Sequence, residues 1–436
     1  MPATLPPGDT SLSEKVARTR GLRNNLAWSL TGNATYAAMQ WITVVGIAWF
    51  GNAEMVGQFS LALAVTAPLT LLAAMSLRTV FVTDVSLRFT FADYFLVRLV
   101  AMLLAFIAIA VISMRFQGQT RAVIAIVGIA KVVDGIGDIL VAIFHKANDM
   151  RRMAISSILN GILTATFVTT ILLISSNMVL ACWGSVLASV ASSILYCTAA
   201  LRRTANPPPS ASLLGRPAQA SVLRRLTHSR ALVLTALPLG FAAFLSSVTW
   251  NIPRYVLSER ASIATLGIFS AISYIPTTIN VGAAALAQNL LPKFTAMRHN
   301  AENARVRQLV YRFLLLSAAC AMALSAACYF GGETLLALAY GPEYGEQTGL
   351  LTLLTATTAL GVGGFILDAA LSSHRQFAGQ LAANTMALVA CVVLSLLLIP
   401  QLGIVGAGMA SAGVTLVLLA AKTVLFVLSM RTPVES

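Results

Sequence analysis

Residues 93–114 read DYFLVRLVAMLLAFIAIAVISM, and positions 99–114 within this stretch contain no charged residue. A helix of about 20 apolar residues is long enough to cross the hydrocarbon core of a bilayer. Similar stretches recur along the whole chain, without the alternating short strands that a membrane β-barrel requires. The sequence therefore predicts an all-α integral membrane protein.

The composition agrees with this prediction. Of the 436 residues, 58% are hydrophobic and 10% are charged, whereas an ordinary soluble domain carries about 25% charged residues. These values exclude a soluble enzyme and a disordered protein. The net charge is +14, but no basic, aromatic-rich surface domain is present, so we expect no nucleic-acid partner. The five cysteines lie in apolar stretches without metal-ligand spacing, and we expect no metal and no cofactor.

Counting the apolar stretches predicts about twelve transmembrane helices. The predicted spans are residues 26–49, 56–80, 93–114, 120–144, 153–175, 178–200, 231–253, 263–291, 309–330, 347–371, 377–399 and 404–428. Positive charge is distributed unequally between the alternate turns that join them. If the N-terminus lies inside, all but five of the 29 lysine and arginine residues fall on the inner side. Cytoplasmic loops carry such an excess, so we expect both termini to be cytoplasmic.

A polar segment rich in Pro, Ser and Arg divides the predicted spans into six plus six. The predicted parts are a cytoplasmic N-terminal segment (1–25), an N-lobe (26–200), an exposed, mobile cytoplasmic linker (201–230), a C-lobe (231–430) and a cytoplasmic C-terminus (431–436). Gly57-Gln58-Phe59-Ser60 opens the second span, and Gly267-Ile268-Phe269-Ser270 opens the eighth. Two six-helix lobes in the same orientation predict a pseudo-two-fold axis along the membrane normal.

Several charged residues lie inside the predicted spans, where a charge is costly unless it faces a cavity or a partner. Span four carries Lys131, Asp134 and Asp138, whose spacing places them on one helix face. Two interpretations stay open: a self-neutralising Lys131–Asp134 pair with Asp138 at the cytoplasmic rim, or a wet cavity whose acids bind protons or ions. Asp368, near the inner end of span ten, is either a rim residue or a similar carrier.

Arginine residues mark three other positions. Arg78 near the inner end of span two and Arg98 early in span three are either topology anchors or cavity residues. Arg254, at the outer end of span seven, lies on the side with few cations, so anchoring explains it less well. Polar residues expected to line cavities or to bond between helices are Asn33, Gln40, Asn160, Asn280, Gln288 and Asn289.

A set of short motifs, taken together, resembles one family. The motifs are Gly57-Gln58-Phe59-Ser60-Leu61-Ala62, Leu77-Arg78, Thr83-Asp84, Phe91 with Tyr94 and Arg98, Lys131 with Asp134 and Asp138, Arg151-Arg152-Met153, Pro238-Leu239-Gly240, Asn251-Ile252-Pro253-Arg254-Tyr255, Leu266-Gly267-Ile268-Phe269-Ser270, and Ile399-Pro400 with Gly406-Ala407. On these motifs, nearly the whole chain resembles the polysaccharide (Wzx-type) flippases of the multidrug/oligosaccharidyl-lipid/polysaccharide exporter superfamily.

The resemblance implies a V-shaped, two-lobed transporter in the bacterial cytoplasmic (inner) membrane. Such a protein flips polyprenyl-pyrophosphate-linked oligosaccharide from the inner to the outer leaflet by alternating access, for lipopolysaccharide or exopolysaccharide synthesis. Cations that line the cavity are implied to bind the pyrophosphate, and Arg–phosphate contacts give this a physical basis. The implied pyrophosphate-binding residues are Arg78, Arg98, Lys131 and Arg254.

The resemblance also implies coupling to H⁺ or Na⁺, with Asp134, Asp138 and Asp368 as candidate carriers. Expected partners are the lipid-linked oligosaccharide, membrane lipids and polysaccharide-assembly proteins. Two other functions stay open. A cation-coupled multidrug exporter of the same superfamily would need acids and aromatics in its cavity. A non-transporting assembly subunit could use the basic 201–230 segment to dock glycosyltransferases or anionic lipids. Without a P-loop or a cluster of catalytic residues, we expect no enzyme.

Overall fold

A computed structural model of the protein describes residues 10–84, 89–202, 222–300, 302–374 and 376–430. Within these ranges the fold consists of helices joined by short turns, and no strand occurs. Helices are the only open-ended structures that satisfy all their own backbone hydrogen bonds within lipid. The predicted all-α membrane architecture is confirmed.

The N-lobe contains eight helices and one π-helical turn. In chain order these are α1 (Thr10–Phe50), α2 (Ala53–Ala74), α3 (Leu77–Thr83), α4 (Phe91–Ser113), α5 (Gly118–Lys146), α6 (Met150–Ser175), α7 (Met178–Ser189), the π-helical turn (Val190–Tyr196) and α8 (Cys197–Arg202). Helix α1 packs against α6, and α5 packs against α2, α4 and α7. Helix α5 is therefore central to the N-lobe.

The C-lobe is built from five longer helices. They are α9 (Val222–Arg260), α10 (Ile263–His299), α11 (Asn303–Tyr340), α12 (Thr348–Ser373) and α13 (Phe377–Ser429), with a 3-10 turn at Pro342–Gln347. Helix α13 covers the last two predicted spans. It is broken at Gly403, whose φ of 55° and ψ of −126° lie outside the helical region. A residue without a Cβ adopts this conformation at little cost, so Gly403 separates the two spans.

Nine helical segments in the described ranges are long and apolar enough to cross a membrane. They are Ala53–Thr83, Phe91–Ser113, Met150–Ser175, Met178–Arg202, Arg230–Arg260, Ile263–Arg298, Asn303–Tyr340, Pro342–Ser373 and Phe377–Ser429. Helix α1, with 41 residues, and the charged helix α5, with 29, lie outside this set but pack among the others. Twelve crossings and lobes related by one axis stay predictions. The predicted linker 201–230 falls mainly outside the described residues, although α9 already begins at Val222.

Predicted span two is interrupted before its inner end. Met75 and Ser76 adopt left-handed backbone conformations, with φ of 46° and 48°, and separate α2 from α3. Such conformations cost about 1–3 kcal/mol each in non-glycine residues and persist only where the surroundings impose them. Gly240 of α9 supplies part of these surroundings, since a Cβ at this position would approach the Cα of Met75 to 2.7 Å.

Lys146 holds the short helix α3 in place from the end of α5. Its Nζ donates hydrogen bonds to the carbonyl oxygens of Phe81 (3.0 Å) and Asp84 (2.9 Å) and lies 4.4 Å from the centre of the Phe81 ring. A cation at a helix C-terminus satisfies orphan carbonyls and complements the helix dipole. The contact fixes α3, and with it Arg78, against α5.

The two lobes meet where the repeated motifs cross. A Cβ built on Gly57 of α2 would overlap the carbonyl oxygen of Ile263, and one built on Gly267 of α10 would overlap the carbonyl oxygen of Ala53. Gly57 thus contacts the residue four positions before Gly267, and Gly267 contacts the residue four positions before Gly57. The predicted pseudo-two-fold axis would require reciprocal contacts of this kind, and the axis itself stays a prediction. Small residues are the usual means by which membrane helices approach this closely.

Hydrogen bonds between the lobes lie beside this crossing, at the end predicted to face outward. The indole nitrogen of Trp41 donates to the Tyr340 hydroxyl (2.7 Å), which in turn donates to the carbonyl oxygen of Ala271 (2.6 Å). The indole of Trp49 donates to the carbonyl oxygen of Ala339 at 2.9 Å. A further bond joins Tyr255 of α9 to Ala64 of α2. The lobes are therefore closed against each other at the predicted outer end.

Replacing Gly57 by Ala should loosen this crossing, because the added methyl group overlaps backbone rather than a flexible side chain. Overpacking of this kind costs about 1–3 kcal/mol, so the melting temperature in detergent should fall. Gly331→Ala is the control, since a Cβ at Gly331 in α11 meets nothing within 4 Å. It should be neutral or stabilising through its higher helix propensity. Equal melting temperatures for the two variants would contradict the assigned crossing.

Candidate functional site

The seven charged residues predicted from the sequence fall into three groups in the structure. Arg78, Arg98 and Asp138 form a triad at the predicted inner end of the N-lobe. Lys131, Asp134 and Arg254 share the lack of a short ion pair: Lys131 faces Asp134 at 3.6 Å, and Arg254 has no ion pair within the described residues. Asp368 forms a separate pair within the C-lobe. The groups differ in how far their charges are neutralised by protein.

Asp138 holds two arginines at once. Its Oδ1 accepts from Arg78 Nη1 at 3.0 Å, and its Oδ2 accepts from Arg98 Nη2 at 2.9 Å. The side chain of Arg98 is 1% exposed, whereas that of Arg78 is 41% exposed. The buried Nε and Nη1 of Arg98 have no hydrogen-bond partner. The Asp138 carboxylate therefore supplies the negative charge that neutralises the buried Arg98 guanidinium. In this conformation Arg98 is inaccessible to a substrate, whereas Arg78 remains accessible.

A polar network surrounds Asp134 in the middle of α5. Its Oδ1 accepts hydrogen bonds from Asn160 Nδ2 (2.9 Å) and Ser193 Oγ (3.3 Å). Its Oδ2 faces Lys131 Nζ at the longer distance of 3.6 Å. The Asn160 amide also donates to Ser192 Oγ at 2.9 Å. Asp134 is thus fixed by neutral donors, and Lys131 is its most loosely held neighbour.

The π-helical turn brings Ser193 to this network. Gly137 allows the approach, because a Cβ there would overlap the side chain of Ser193. Single π-helical turns inside α-helices occur often at functional sites. A recess beside the network is lined by Gln40, Phe59, Leu63, Val127, Ala130, Lys131, Asp134, Asn160, Thr164, Ser185 and Ser189. The N-lobe therefore contains an oxygen-rich recess with one carboxylate.

Arg254 lies on α9 of the C-lobe, next to Tyr255, whose hydroxyl donates a hydrogen bond to the carbonyl oxygen of Ala64 in α2. Arg254 donates from Nη1 to the amide oxygen of Asn251 at 2.8 Å, and its buried Nε has no partner. Lys131 and Arg254 are both half-buried, and Lys131 lines the recess described above. Among the described residues, no ion pair includes Arg254.

Asp368 of α12 pairs with Lys422 of α13. The Lys422 Nζ donates to Asp368 Oδ2 at 2.8 Å, and the Lys422 side chain is 8% exposed. From the sequence, Lys422 counts only as an inner-side cation, because nothing local connects positions 54 residues apart.

The comparisons with known proteins agree on the class of protein. The family model described as polysaccharide biosynthesis protein matches residues 22–298. The capsular polysaccharide biosynthesis protein CapF of Staphylococcus aureus is 23% identical over 385 residues, which are 88% of this chain and 94% of CapF.

Solved structures of multidrug resistance MATE family transporters of the MOP superfamily share the fold. An inward-facing conformation aligns with a TM-score of 0.65 and 17% identity, covering 92% of this chain and 93% of that one. An outward-facing conformation aligns with a TM-score of 0.58 and 12% identity, covering 94% of each chain.

The chain therefore shares the fold of these MATE structures. Because the family model covers more than half of the residues, the chain belongs to the polysaccharide biosynthesis protein family. The resemblance to the polysaccharide flippases of this superfamily is confirmed. The described part of the chain is a multi-pass membrane protein.

Replacing Asp138 by Asn should destabilise the N-lobe, because Arg98 would keep a buried charge without a carboxylate. Removing one partner of a buried ion pair costs about 3–5 kcal/mol, which should appear as a lower melting temperature in detergent. Glu302→Gln breaks the partly exposed pair with Arg305 and should cost below about 1 kcal/mol. Adding Arg98→Met to Asp138→Asn should recover part of the stability. No recovery would argue that Asp138 stabilises the lobe in another way.

Proposed function

We propose that this protein flips polyprenyl-pyrophosphate-linked oligosaccharide from the inner to the outer leaflet of the bacterial cytoplasmic membrane by alternating access. The observation that carries the proposal is that Arg254 makes no ion pair within the described residues and leaves its buried Nε without a partner, while Lys131 is held to Asp134 only at 3.6 Å. The similarity to CapF supports a repeat unit of a surface polysaccharide as the cargo. The charge distribution supports both termini being cytoplasmic.

The central pair of cations matches the chemistry of a pyrophosphate. A pyrophosphate diester carries two negative charges and several acceptor oxygens. The arginine guanidinium binds such oxygens through a planar fork, and lysine adds a compact point charge. Arg254 has an unpartnered buried nitrogen and no carboxylate in its ion-pair range, so an anion would satisfy it. An isolated cation at this depth would otherwise be costly.

Arg78 places a cation at the predicted cytoplasmic entrance between the lobes. It is 41% exposed and uses only Nη1 toward Asp138. A pyrophosphate entering from the cytoplasmic leaflet would meet Arg78 first and the Lys131–Arg254 pair later. The saccharide would cross between the lobes while the polyprenyl chain stays in the bilayer. Arg98 contributes to this route by holding Asp138 rather than by touching the substrate.

Among the three candidate carriers of a coupling ion, Asp134 is the one that the contacts favour. Asp138 is paired with two arginines, and Asp368 is paired with Lys422 at 2.8 Å. Asp134 instead has neutral donors on one oxygen and a lysine at 3.6 Å on the other. Its carboxylate can therefore bind H⁺ or Na⁺ without breaking a short ion pair.

Flipping should depend on both central cations. We expect Arg254→Gln and Lys131→Gln each to slow the flipping of a fluorescent short-chain polyprenyl-pyrophosphate saccharide at least tenfold in proteoliposomes. A buried charge contact that is lost from one side costs about 2–5 kcal/mol, and each 1.4 kcal/mol is a factor of ten. Accessibility of the lipid to an impermeant quencher measures the rate.

Arg305→Gln is the matched control, because Arg305 is an exposed cation that pairs with Glu302. This variant should flip the lipid at the wild-type rate. Unchanged flipping in both central variants, at equal protein levels and melting temperatures, would refute the proposed anion site. Efflux of lipophilic cations without lipid flipping would instead identify a multidrug exporter.

A further inference from the structure

A second recess lies in the C-lobe, between α9 and α13. Its wall on α9 includes Ser246, Thr249 and Trp250, and its wall on α13 includes Asn384 and Thr385. Leucine and alanine side chains complete the lining, and none of the described residues that line it is charged. The C-lobe recess therefore combines one large aromatic surface with neutral hydrogen-bonding groups.

The recesses of the two lobes occupy matching positions in the sequence repeat. Gly57 and Gly267 are 210 positions apart, and the same offset relates Gln40 to Trp250. Gln40 lines the N-lobe recess, and Trp250 lines the C-lobe recess. The N-lobe recess contains a lysine and an aspartate, whereas the described lining of the C-lobe recess is neutral. The lobes therefore offer different chemistry at matching places.

Two polar groups of the C-lobe recess are left without a hydrogen bond. Ser246 and Asn384 are exposed, and neither the Ser246 hydroxyl nor the Asn384 amide has a partner among the described residues. Ser246 lies in predicted span seven and Asn384 in predicted span eleven, where an unpaired amide that faces hydrocarbon is costly. We therefore expect the recess to face the polar space between the lobes and to hold a molecule that bonds to these groups.

The other polar side chains of the recess are acceptors. The Thr249 hydroxyl donates to the carbonyl oxygen of Leu245 at 2.8 Å, and the Thr385 hydroxyl donates to that of Leu381 at 3.0 Å. Each hydroxyl keeps a lone pair for an incoming donor. Trp250 is 52% exposed, and the face of its indole carries partial negative charge, which attracts C–H groups. The lining thus suits a ligand with hydroxyl groups and one apolar face.

The aromatic surface lies next to the proposed anion site. Ser246, Trp250 and Arg254 follow one another at intervals of four residues, which places them on one face of α9. At 1.5 Å per residue, Trp250 and Arg254 are about 6 Å apart along the helix axis. A ring joined to a pyrophosphate at Arg254 therefore reaches the indole of Trp250.

We propose that the C-lobe recess binds the first sugar of the lipid-linked oligosaccharide, with one face of the sugar ring on Trp250 and its hydroxyls bonded to Ser246 and Asn384. A pyranose ring is uncharged and has an apolar C–H face and a rim of hydroxyl groups, which matches the lining. The inference rests on the proposed function: the two cations bind the pyrophosphate, and the recess distinguishes the sugar. A lipid or polyprenyl tail is the competing occupant, but it would leave Ser246 and Asn384 unpaired.

The test compares ligands of equal charge on the purified full chain in detergent. The sugar ligands are pyrophosphate diesters of geraniol with glucose, galactose or N-acetylglucosamine, and the reference ligand carries a methyl group in place of the sugar. Dissociation constants are measured by titration. We expect wild type to bind at least one sugar ligand at least fivefold more tightly than the methyl ligand, because a site built to bond to hydroxyls discriminates against an analogue that lacks them.

Two variants separate sugar binding from binding of the prenyl chain. Trp250→Leu keeps an apolar side chain but removes the aromatic face, and Asn384→Ala removes the amide. Each should lower the preference for the sugar ligand to below twofold and change the affinity for the methyl ligand by less than twofold. Trp183→Leu is the matched control, since Trp183 of α7 is similarly exposed, at 45%, and lines neither recess. It should keep the wild-type preference.

The contrary results distinguish this inference from the proposed function. Equal binding of the sugar and methyl ligands by wild type, or an unchanged preference in both recess variants, overturns the sugar site and leaves the proposed function intact. Equal weakening of both ligands in the recess variants assigns the recess to the prenyl chain and also overturns the sugar site. If Trp250→Leu does not fold, Asn384→Ala alone decides the question. No binding of any ligand by wild type overturns the proposed function and this inference with it.

Discussion

A charged side chain at bilayer depth costs several kcal/mol unless it pairs or faces water, and this constraint orders the polar residues of the fold. Within the N-lobe, Asp138 pairs with two arginines, and within the C-lobe Asp368 pairs with Lys422. These groups are neutralised inside one lobe and stabilise it. Arg254 has no such partner in the described chain, and Lys131 has only a loose one. Lys131 and Arg254 are therefore the two predicted cavity cations that no short ion pair neutralises.

The crossing of α2 and α10 joins the two lobes that carry these charges. Gly57 and Gly267 let the two backbones touch, and the bonds of Trp41 and Tyr340 close the lobes beside them. At 1.5 Å per residue, Lys131 lies about 20 Å along α5 from its predicted outer end, which is near mid-membrane. The proposed anion site joins Lys131 of α5 to Arg254 of α9, so the account makes anion binding depend on the relative position of the lobes.

Much of this arrangement follows from the sequence, and the remainder depends on tertiary contacts. Apolar run length predicts the all-α membrane fold, and the repeated motifs at Gly57 and Gly267 mark the helix pair that forms the lobe interface. The face shared by Lys131, Asp134 and Asp138 also follows from helical spacing. The ion-pair partners cannot be predicted from helical spacing, because Arg98 is 40 residues from Asp138 and Lys422 is 54 residues from Asp368. The break between α2 and α3 at Met75 and Ser76 cannot be predicted from the sequence either, because packing against α9 imposes it.

The central claim is that an anion binds between the lobes at Lys131 and Arg254. A cryo-electron microscopy map of the protein in nanodiscs, with a polyprenyl-pyrophosphate saccharide added, tests this claim most directly. The account predicts density for the two phosphates within hydrogen-bonding distance of Lys131 Nζ and the Arg254 guanidinium. Phosphate density confined to the inner surface near Arg78, or a cavity occupied only by lipid tails while Arg254 pairs with protein, would contradict it.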